Sequence, residues 1–213
     1  ALPICFLNIG GISNITIINE TTKPFDFTSR DIGPGNCLID SWVRKNSKKK
    51  FDEDGLLAFT GKRNDIIFEQ AEELFSNIAN RKTQSLDIND FDVSFVRGLS
   101  LEDGAATLTD FTAQIIGASL LSYLPNINNE FLKILVCGGG RKNKLLINSI
   151  QEFLNDINIK LDNMDNYHFD GDFIESQAFA FLAVRSYLNL PISFPDTTRC
   201  EQAIPGGEIQ KNF

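Results

Sequence analysis

The segment Asp31-Ile32-Gly33-Pro34-Gly35-Asn36 combines a carboxylate with a predicted break in the chain's regular structure, because two glycines and a proline follow the aspartate closely. A β-rich stretch precedes the segment, and a helical pattern starts at Cys37. We expect Asp31 to lie in a loop at the sheet edge, with the next backbone N–H groups free to meet an anion. A loop aspartate that only stabilises the helix N-terminus is the alternative.

Glycines cluster at the ends of three predicted strands, at Gly10-Gly11, at Gly33 and Gly35, and at Gly138-Gly139-Gly140. A strand that runs through glycines into a helix lets a nucleotide lie against bare backbone. A glycine triplet also serves tight strand–helix turns, so by itself it is a weak signal. The additional Gly-Gly pair near the start of the same domain favours nucleotide binding.

Composition limits the class of partner. The 213 residues are 42% hydrophobic and 23% charged, which is an ordinary globular balance with enough chain for a sizeable core. The net charge of −8 argues against nucleic acid or an anionic membrane surface as the main partner, whereas backbone amides can still hold a phosphate. The four cysteines form no CxxC motif, and three lie in apolar runs, so we expect reduced thiols and a cytoplasmic protein.

No apolar stretch is long enough to span a bilayer. The first seven residues lack the basic region and the cleavage site of a signal peptide, and we interpret them as leading into the first strand. The chain is therefore expected to start abruptly inside a fold.

The elements that must position these residues follow from hydrophobic periodicity. Small residues on one face of the last predicted helix (Ala178, Ala180 and Ala183) are suited to close packing on the sheet. We interpret residues 80–92 as a long loop or small insertion and the tail from Pro191 as mostly loop. The order predicts an α/β fold with a mixed five-stranded sheet and helices on both faces. The predicted strands are 4–9, 12–19, 25–28, 132–137 and 157–161. The first predicted helix starts with the pattern 37–43 and ends in the run Lys48-Lys49-Lys50, and the other predicted helices are 65–79, 103–124, 143–155 and 173–188.

The paired glycine turns resemble the nucleotide-binding half of the actin and hexokinase superfamily, in which a glycine hairpin cradles phosphate and a later cluster flanks adenosine. Five segments, in order, are more specifically similar to the anhydro-N-acetylmuramic acid kinases, and together they extend over nearly the whole chain. These segments are 8–16 (Asn-Ile-Gly-Gly-Ile-Ser-Asn-Ile-Thr), 31–42 with the Gly-Pro-Gly-Asn sequence, 103–113, 137–143 and 175–180.

This resemblance implies a ribonuclease H-like lobe of a kinase that uses ATP and Mg²⁺. The kinase cleaves the 1,6-anhydro bond of anhydro-N-acetylmuramic acid and phosphorylates O6, giving N-acetylmuramate 6-phosphate in peptidoglycan recycling. Asp31 matches the catalytic base that activates the attacking water. The substrate-binding residues implied are Glu175, Asn36 and Thr107, and the cofactor-binding residues implied are Gly10, Gly11, Gly138, Gly139, Gly140 and Asn143.

Structural roles remain as alternatives for several of these residues. Glu175 can be an N-terminal helix charge. Thr107 can serve in helix capping and back-bonding. Asn36 can contact the ligand or only stabilise its loop.

The resemblance is restricted to the C-terminal lobe, which occupies residues 1–213. Family members begin with a separate N-terminal lobe, whose Gly-Thr-Ser-x-Asp-Gly segment grips the nucleotide phosphates. Gln84, Ile88 and Arg199 depart from the family pattern. In that pattern, arginine is usual at position 88 and glycine is usual at position 199. The resemblance therefore implies a homodimer or a complex with a separate N-terminal lobe. An inactive nucleotide- or sugar-binding remnant and another sugar kinase of the superfamily are the alternatives.

Overall fold

A mixed sheet of five strands, in the order β3-β2-β1-β4-β5, forms the centre of the computed structural model, which describes residues 3–19, 27–79, 85–124, 132–155 and 157–210. The pair β1–β2 and the pair β2–β3 are antiparallel, whereas β1–β4 and β4–β5 are parallel. The predicted mixed five-stranded sheet is thus confirmed. Its strands are β1 (Ile4–Ile9), β2 (Ile12–Ile18), β3 (Phe27–Pro34), β4 (Leu132–Cys137) and β5 (Ile159–Asn163).

The long helices lie where periodicity predicts them, with ends that differ by a few residues because hydrogen bonding and caps decide where a helix stops. Ser100 caps α4 by accepting a bond from Asp103 N at 3.0 Å. The short helices α2 and α7 are additional to the prediction. The helices are α1 (Cys37–Asn46), α2 (Leu56–Thr60), α3 (Asp65–Ala79), α4 (Leu101–Tyr123), α5 (Lys144–Phe153), α6 (Ile174–Tyr187) and α7 (Pro195–Thr198). Within the described ranges, no helix has the length and apolar character of a membrane span.

The main core lies between one face of the sheet and helices α4 and α5. Alternate residues of each strand point to this face, as the period of two requires. Cys5, Leu7 and Ile9 of β1 are fully buried there, together with Ile116 and Leu120 of α4. Burial of the Cys5 thiol agrees with its position in an apolar run.

A second hydrophobic cluster joins α1, α2 and α3 to the first half of α4. Leu38, Trp42, Phe68, Leu108 and Phe111 are among its buried members. The indole Nε1 of Trp42 donates to the carbonyl of Leu101 at 2.9 Å, which ties α1 to the start of α4. Helix α4 therefore contributes to both clusters.

Strand β3 is longer than predicted, and Asp31 lies inside it and not in a loop. Ser13 pairs with Gly33 and Asn14 pairs with Asp31, so Ile32 is an extra residue in a β-bulge. The carbonyl of Ile32 accepts a bond from Ser119 Oγ of α4 at 2.7 Å. The prediction of an early strand end was wrong because β2 continues to pair with the chain as far as Pro34.

Helix α6 does not pack its small residues on the sheet, so that prediction was also wrong. Ala178, Ala180 and Ala183 are all exposed, and α6 contributes no buried residue. A cavity separates the helix from the sheet, with Ala178 in its wall. Helix α7, in contrast, lies against β3, where Phe194 and Phe27 make an edge-to-face contact with ring centroids 6.2 Å apart.

Candidate functional site

The three glycine clusters meet at one end of the sheet. A Cβ on Gly35 would lie 2.2 Å from the carbonyl oxygen of Gly10, so the α1 turn and the β1–β2 turn touch backbone to backbone. Gly138 has φ +80, and a Cβ there would lie 2.6 Å from the carbonyl oxygen of Ile9. Only glycine fits such approaches without displacing a neighbour. The tertiary fold thus gathers the clusters that the sequence separates.

The N–H groups that follow the Asp31 segment are already engaged. Gly35 and Cys37 donate to the Gly11 carbonyl at 2.9 and 3.1 Å, and Asn36 donates to the Gly10 carbonyl at 2.8 Å. The prediction that these donors are free for an anion was therefore wrong. The hairpin turn exposes its own carbonyls, which need donors, and the start of α1 supplies them.

A row of polar residues crosses the open face of the sheet towards the glycine turns. Asp31 pairs with Asn14, Asn14 pairs with Asn8, and Asn8 pairs with Cys137. Directly opposed residues share a sheet face, so the Asp31 carboxylate and the two amides point to the same side. The sequence analysis gave Asn8 and Asn14 no role. In the sequence of β2, apolar Ile15 and Ile17 alternate with polar Asn14 and Thr16. This alternation could have identified the polar face of the sheet.

The segment after residue 84 approaches both Asp31 and the hairpin turn. Leu86 N donates to Asp31 Oδ2 at 2.9 Å, which fixes one oxygen of the carboxylate. Ile88 is exposed, and its Cγ2 would lie 3.5 Å from a Cβ on Gly11. The departure from arginine at position 88 therefore falls beside the glycine turn, whereas Gln84 lies outside the described residues.

A cavity of about 580 Å³ lies between this polar face and α6. A concave, partly apolar space with a few convergent polar groups is typical of small-molecule sites. Its wall contains amides, glycine backbone and carboxylates together with apolar side chains. The lining residues are Phe6, Asn8, Gly10, Asn14, Thr16, Ile18, Phe27, Cys137, Gly138, Gly139, Met164, Gly171, Asp172, Ile174, Glu175 and Ala178.

Four of the predicted binding residues line this cavity, namely Gly10, Gly138, Gly139 and Glu175. Asn36 is close to it, because its Nδ2 would lie 3.8 Å from a Cβ on Gly139. Glu175 is in the first turn of α6, as predicted.

The structure does not bring the other predicted binding residues to the cavity wall. Gly140 is buried against the Ile9 side chain, and Asn143 caps α5 by accepting a bond from Leu146 N at 3.0 Å. Gly11 lies at the exposed tip of the hairpin.

Thr107 is fully buried within α4. Its hydroxyl donates to the Asp103 carbonyl at 2.8 Å and accepts a bond from Asn64 N at 3.0 Å. Both contacts stay inside the protein and correspond to the back-bonding alternative.

Arg141 is a residue that the sequence analysis missed. Its side chain is only 3% exposed, and the guanidinium contacts Asp165 at 3.0 Å and Asp172 at 2.7 Å. Nη1 also donates to the Gly138 carbonyl at 3.0 Å. Hydrogen bonds from Arg141 and then Lys142 lower the pKa of Asp172 to about 2. Arg141 thus ties the loop that carries Asp172 to the glycine turn across the cavity rim.

The backbone at Arg199 has a conformation that favours the glycine found at this position in the family pattern. It ends α7 in the left-handed region, with φ +59. Glycine reaches this region without a steric penalty, so the glycine of the family pattern fits the backbone that the structure has here.

Comparison with known proteins identifies the family. The family described as anhydro-N-acetylmuramic acid kinase matches residues 3–211. A relative of that name from Pelagibacter ubique is 51% identical over 211 residues, which cover 99% of this chain and 56% of that protein. Relatives of the same name from Zymomonas mobilis and Rhodospirillum rubrum are 38% and 39% identical, with 97% of this chain and 54% and 52% of those proteins covered. The chain spans about half the length of these relatives.

Two solved structures also align with 75% of this chain and 54% of their own chains, each with a TM-score of 0.44. They are an activator of the 2-hydroxyisocaproyl-CoA dehydratase from Clostridium difficile with bound ADPNP, at 11% identity, and component A of the (R)-2-hydroxyglutaryl-CoA dehydratase from Acidaminococcus fermentans, at 16% identity. The family assignment depends on the sequence match along nearly the whole chain. This chain belongs to the anhydro-N-acetylmuramic acid kinase family.

Proposed function

We propose that this chain forms the nucleotide- and sugar-binding half of an ATP-dependent anhydro-N-acetylmuramic acid kinase. Such an enzyme opens the 1,6-anhydro ring and phosphorylates O6, which yields N-acetylmuramate 6-phosphate in peptidoglycan recycling. Beyond family membership, one observation carries the proposal: paired strands place Asp31, Asn14 and Asn8 in one row that leads to the glycine turns. The two amides line the cavity together with Gly10, Gly138 and Gly139, and Asp31 lies beside Asn14 on the same face of the sheet, outside the residues that form the cavity wall.

Asp31 is the proposed catalytic base. It accepts a proton from a water whose oxygen attacks the anomeric carbon, and the bond from that carbon to O6 breaks. O6 takes the terminal phosphoryl group of ATP, and ADP leaves. The bond from Leu86 N at 2.9 Å holds one Asp31 oxygen, so the carboxylate is oriented before the water binds.

In this proposal some of the other polar groups bind the sugar and others bind the nucleotide. Glu175 and Asn36 bind the sugar by hydrogen bonds, and Asn14 joins them from the sheet. Gly10, Gly138 and Gly139 let the nucleotide approach the backbone. Gly11, Gly140, Asn143 and Thr107 support this surface through the turn, the close packing and the helix bonds described above.

The residues present fit ATP with Mg²⁺. Gly10, Gly138 and Gly139 line the cavity without side chains, so backbone is what a nucleotide would contact there. Mg²⁺ commonly takes one or two carboxylates together with substrate phosphates. Within the described residues no three acidic, histidine or cysteine side chains form a metal-binding group, so we propose that the phosphates of ATP and water hold most of the ion's coordination positions. ATP supplies the phosphoryl group, and Mg²⁺ neutralises its charge.

An assay of ADP release tests whether this half is sufficient. With saturating ATP and anhydro-N-acetylmuramic acid, we expect no measurable turnover from the 213-residue chain. One lobe leaves the reacting groups open to water and cannot clamp the terminal phosphate. Turnover of about 10 per second, a typical enzyme rate, would show that the lobe suffices.

Adding the other half should restore activity. The matching polypeptide is the part of the Pelagibacter ubique relative that this chain does not match, co-expressed with it. The remnant hypothesis predicts nucleotide or sugar binding without ADP release in the assembled complex. A complex that binds ATP and never releases ADP would support that hypothesis.

A further inference from the structure

Arg141 is a buried cation with three carboxylates around it, all from the loop 165–172. The guanidinium contacts Asp172 at 2.7 Å, Asp165 at 3.0 Å and Asp170 at 4.0 Å. The arginine side chain is 3% exposed, whereas the three aspartate side chains are between 41% and 58% exposed. Burying an arginine costs free energy unless charges and hydrogen bonds compensate it. The aspartates and the Gly138 carbonyl provide this compensation, so they hold the loop on the guanidinium.

The backbone of the loop also packs on the guanidinium. Gly171 is buried, and a Cβ at this position would overlap Arg141 Nε. The N–H of Gly171 donates to Asp165 Oδ1 at 2.8 Å, so the aspartate that contacts Arg141 also holds the loop backbone. The absence of a side chain at Gly171 therefore lets the loop approach the arginine closely.

This attachment fixes the start of α6. Phe173 N donates to the Asp170 carbonyl at 3.0 Å, and Gln177 N donates to the Phe173 carbonyl at 2.8 Å. Backbone hydrogen bonds therefore connect the loop with the first turn of the helix. No residue of α6 is buried, so packing in the core does not hold this end. Glu175, which lines the cavity, follows Asp172 by only three residues.

We propose that Arg141 is a positioning residue that holds Glu175 at a fixed distance from the Gly138 turn and thereby sets the affinity of the cavity for a hydroxyl-bearing sugar. The proposal rests on the proposed function for the identity of the ligand. Asp172 serves as the anchor, because Arg141 bonds one of its oxygens and Lys142 bonds the other. Glu175 is then the carboxylate at the start of α6 that accepts hydrogen bonds from the sugar.

Amide hydrogen exchange tests the positioning without a ligand. Arg141→Met in the 213-residue chain removes the charge and keeps a long side chain. We expect residues 171–177 to exchange about tenfold faster or more, because the start of α6 loses its attachment. Exchange in the middle of α4 should not change. The variant should fold, because the three aspartates are partly exposed and can be hydrated when the arginine is absent.

Gly171→Ala is a second variant that keeps the arginine. Its Cβ would displace the loop from the guanidinium, so the same residues should exchange faster. Arg63→Met is the matched control for Arg141→Met. Arg63 also contacts two aspartates, Asp65 at 2.8 Å and Asp110 at 3.7 Å, and none of these three residues lines the cavity. It should leave exchange at residues 171–177 unchanged.

Sugar binding shows whether Arg141 acts through Glu175. Calorimetry is carried out on the chain and on its complex with the unmatched part of the Pelagibacter ubique relative. Arg141→Met and Glu175→Gln should each raise the dissociation constant of anhydro-N-acetylmuramic acid about tenfold. The double variant should lose little more than either single variant, because both substitutions remove the same contact. Arg63→Met should leave the dissociation constant unchanged, alone or combined with Glu175→Gln.

Three results would overturn the proposal. The first is unchanged exchange at residues 171–177 in both Arg141→Met and Gly171→Ala. The second is faster exchange in Arg141→Met with an unchanged dissociation constant for the sugar. The third is a loss of about a hundredfold in the double variant, as independent effects would give. If the parent binds no sugar, that result contradicts the proposed function, and hydrogen exchange alone then decides whether Arg141 positions the start of α6.

Discussion

At the scale of single residues, the hydrogen bonds and strand pairing that hold Asp31 are more informative about its proposed role than the glycines beside it in sequence. The residue is held in a paired strand beside a bulge, and Leu86 N bonds one of its oxygens. Bulges re-aim side chains and recur beside active sites. A carboxylate held on rigid backbone loses little freedom when it meets a substrate, which is what a general base needs.

Asp31→Asn should abolish most turnover in the assembled enzyme and leave ATP affinity nearly intact. The amide oxygen can still accept the bond from Leu86 N, but it cannot take a proton from water. We expect a loss of about 10²–10⁴-fold in the single-turnover rate. The ATP dissociation constant and the melting temperature, measured on the same preparation, should change little.

Asp40→Asn is the control for this substitution. Asp40 lies on α1 beside Arg44, at 3.7 Å, and should affect the rate much less. If Asp31→Asn kept more than about a tenth of the rate, or lost activity only in step with its melting temperature, Asp31 would not be the base.

The buried thiols give a pH dependence that can be assigned to single residues. Burial raises the pKa of Cys5 from 9.0 to about 11. The folded state therefore holds this proton more tightly than the unfolded chain does, and the associated stability is complete below pH 9 and lost as pH rises towards 11. Cys5→Ala should remove this contribution, so its free energy of unfolding should fall less steeply over that interval.

The measurement is urea unfolding of the parent and Cys5→Ala at several pH values. The curves of unfolding free energy against pH should run parallel below pH 9 and converge above it. Parallel curves up to pH 11 would show that Cys5 does not titrate with a raised pKa.

At the scale of elements, the turns between strands and helices set the shape of the site. Gly138 connects β4 to the following 3₁₀ turn, Gly139–Lys142, in a left-handed conformation and in close contact with β1. Arg141 then crosses from this turn to the loop before α6. Two sides of the cavity are thus fixed relative to each other by one turn and one buried side chain.

Gly138→Ala should destabilise the protein more than Gly98→Ala. Both glycines have positive φ, at +80 and +95, so alanine at either costs about 1–2 kcal/mol. At Gly138 the new Cβ would also lie 2.3 Å from Asn8 Oδ1, whereas at Gly98 no atom lies within 4 Å. We expect about 1–3 kcal/mol more destabilisation at Gly138 from this overlap, measured by urea unfolding.

Nucleotide binding adds a second readout to this pair. Gly138→Ala displaces Asn8 in the cavity wall and should weaken ATP binding in the assembled enzyme, and Gly98→Ala should not. Equal unfolding free energies for the two variants would mean that the overlap at Gly138 is relieved without cost.

At the scale of the whole molecule, α4 makes one cooperative unit of two hydrophobic clusters. Ile116 and Leu120 belong to the cluster under the sheet, and Leu108 and Phe111 belong to the cluster around α1 and α3. Unfolding the part of α4 in one cluster while the part in the other stays helical would cost free energy, because α4 is one continuous helix. We therefore expect both clusters to unfold in one transition.

Leu120→Ala should lower the stability reported from the other cluster by the same amount. Leu120 is fully buried, so the substitution costs about 2–5 kcal/mol. Trp42, the one tryptophan of the chain, lies in the second cluster and reports on it by fluorescence. Its unfolding midpoint should shift together with the midpoint seen by far-ultraviolet circular dichroism.

The neighbouring substitution Leu121→Ala is the control, because Leu121 is 42% exposed and should cost far less. Separate midpoints for Trp42 fluorescence and circular dichroism in Leu120→Ala would show that the clusters unfold independently.

The sequence by itself determined the features that depend on near neighbours in the chain. Periodicity located α3 at Asp65–Ala79 and β4 at Leu132–Cys137 without error, because buried faces repeat every 3.6 or 2 residues. The mixed sheet also followed, since hairpin-linked strands pair antiparallel and helix-linked strands pair parallel. The motif segments led to the kinase family, which the match over residues 3–211 confirms.

Only the tertiary structure decided the features that depend on residues far apart in sequence. Pairing with β2 kept Asp31 inside β3, and the hairpin carbonyls took the N–H groups of Gly35 and Asn36. Arg141 found its carboxylates 24 and 31 residues away. Helix α6 has an apolar sequence that is typical of a buried helix, yet none of its residues is buried. The elements packed around a helix decide its burial, and its own sequence does not. Local patterns state which contacts a segment can make, and the assembled chain determines which of them are made.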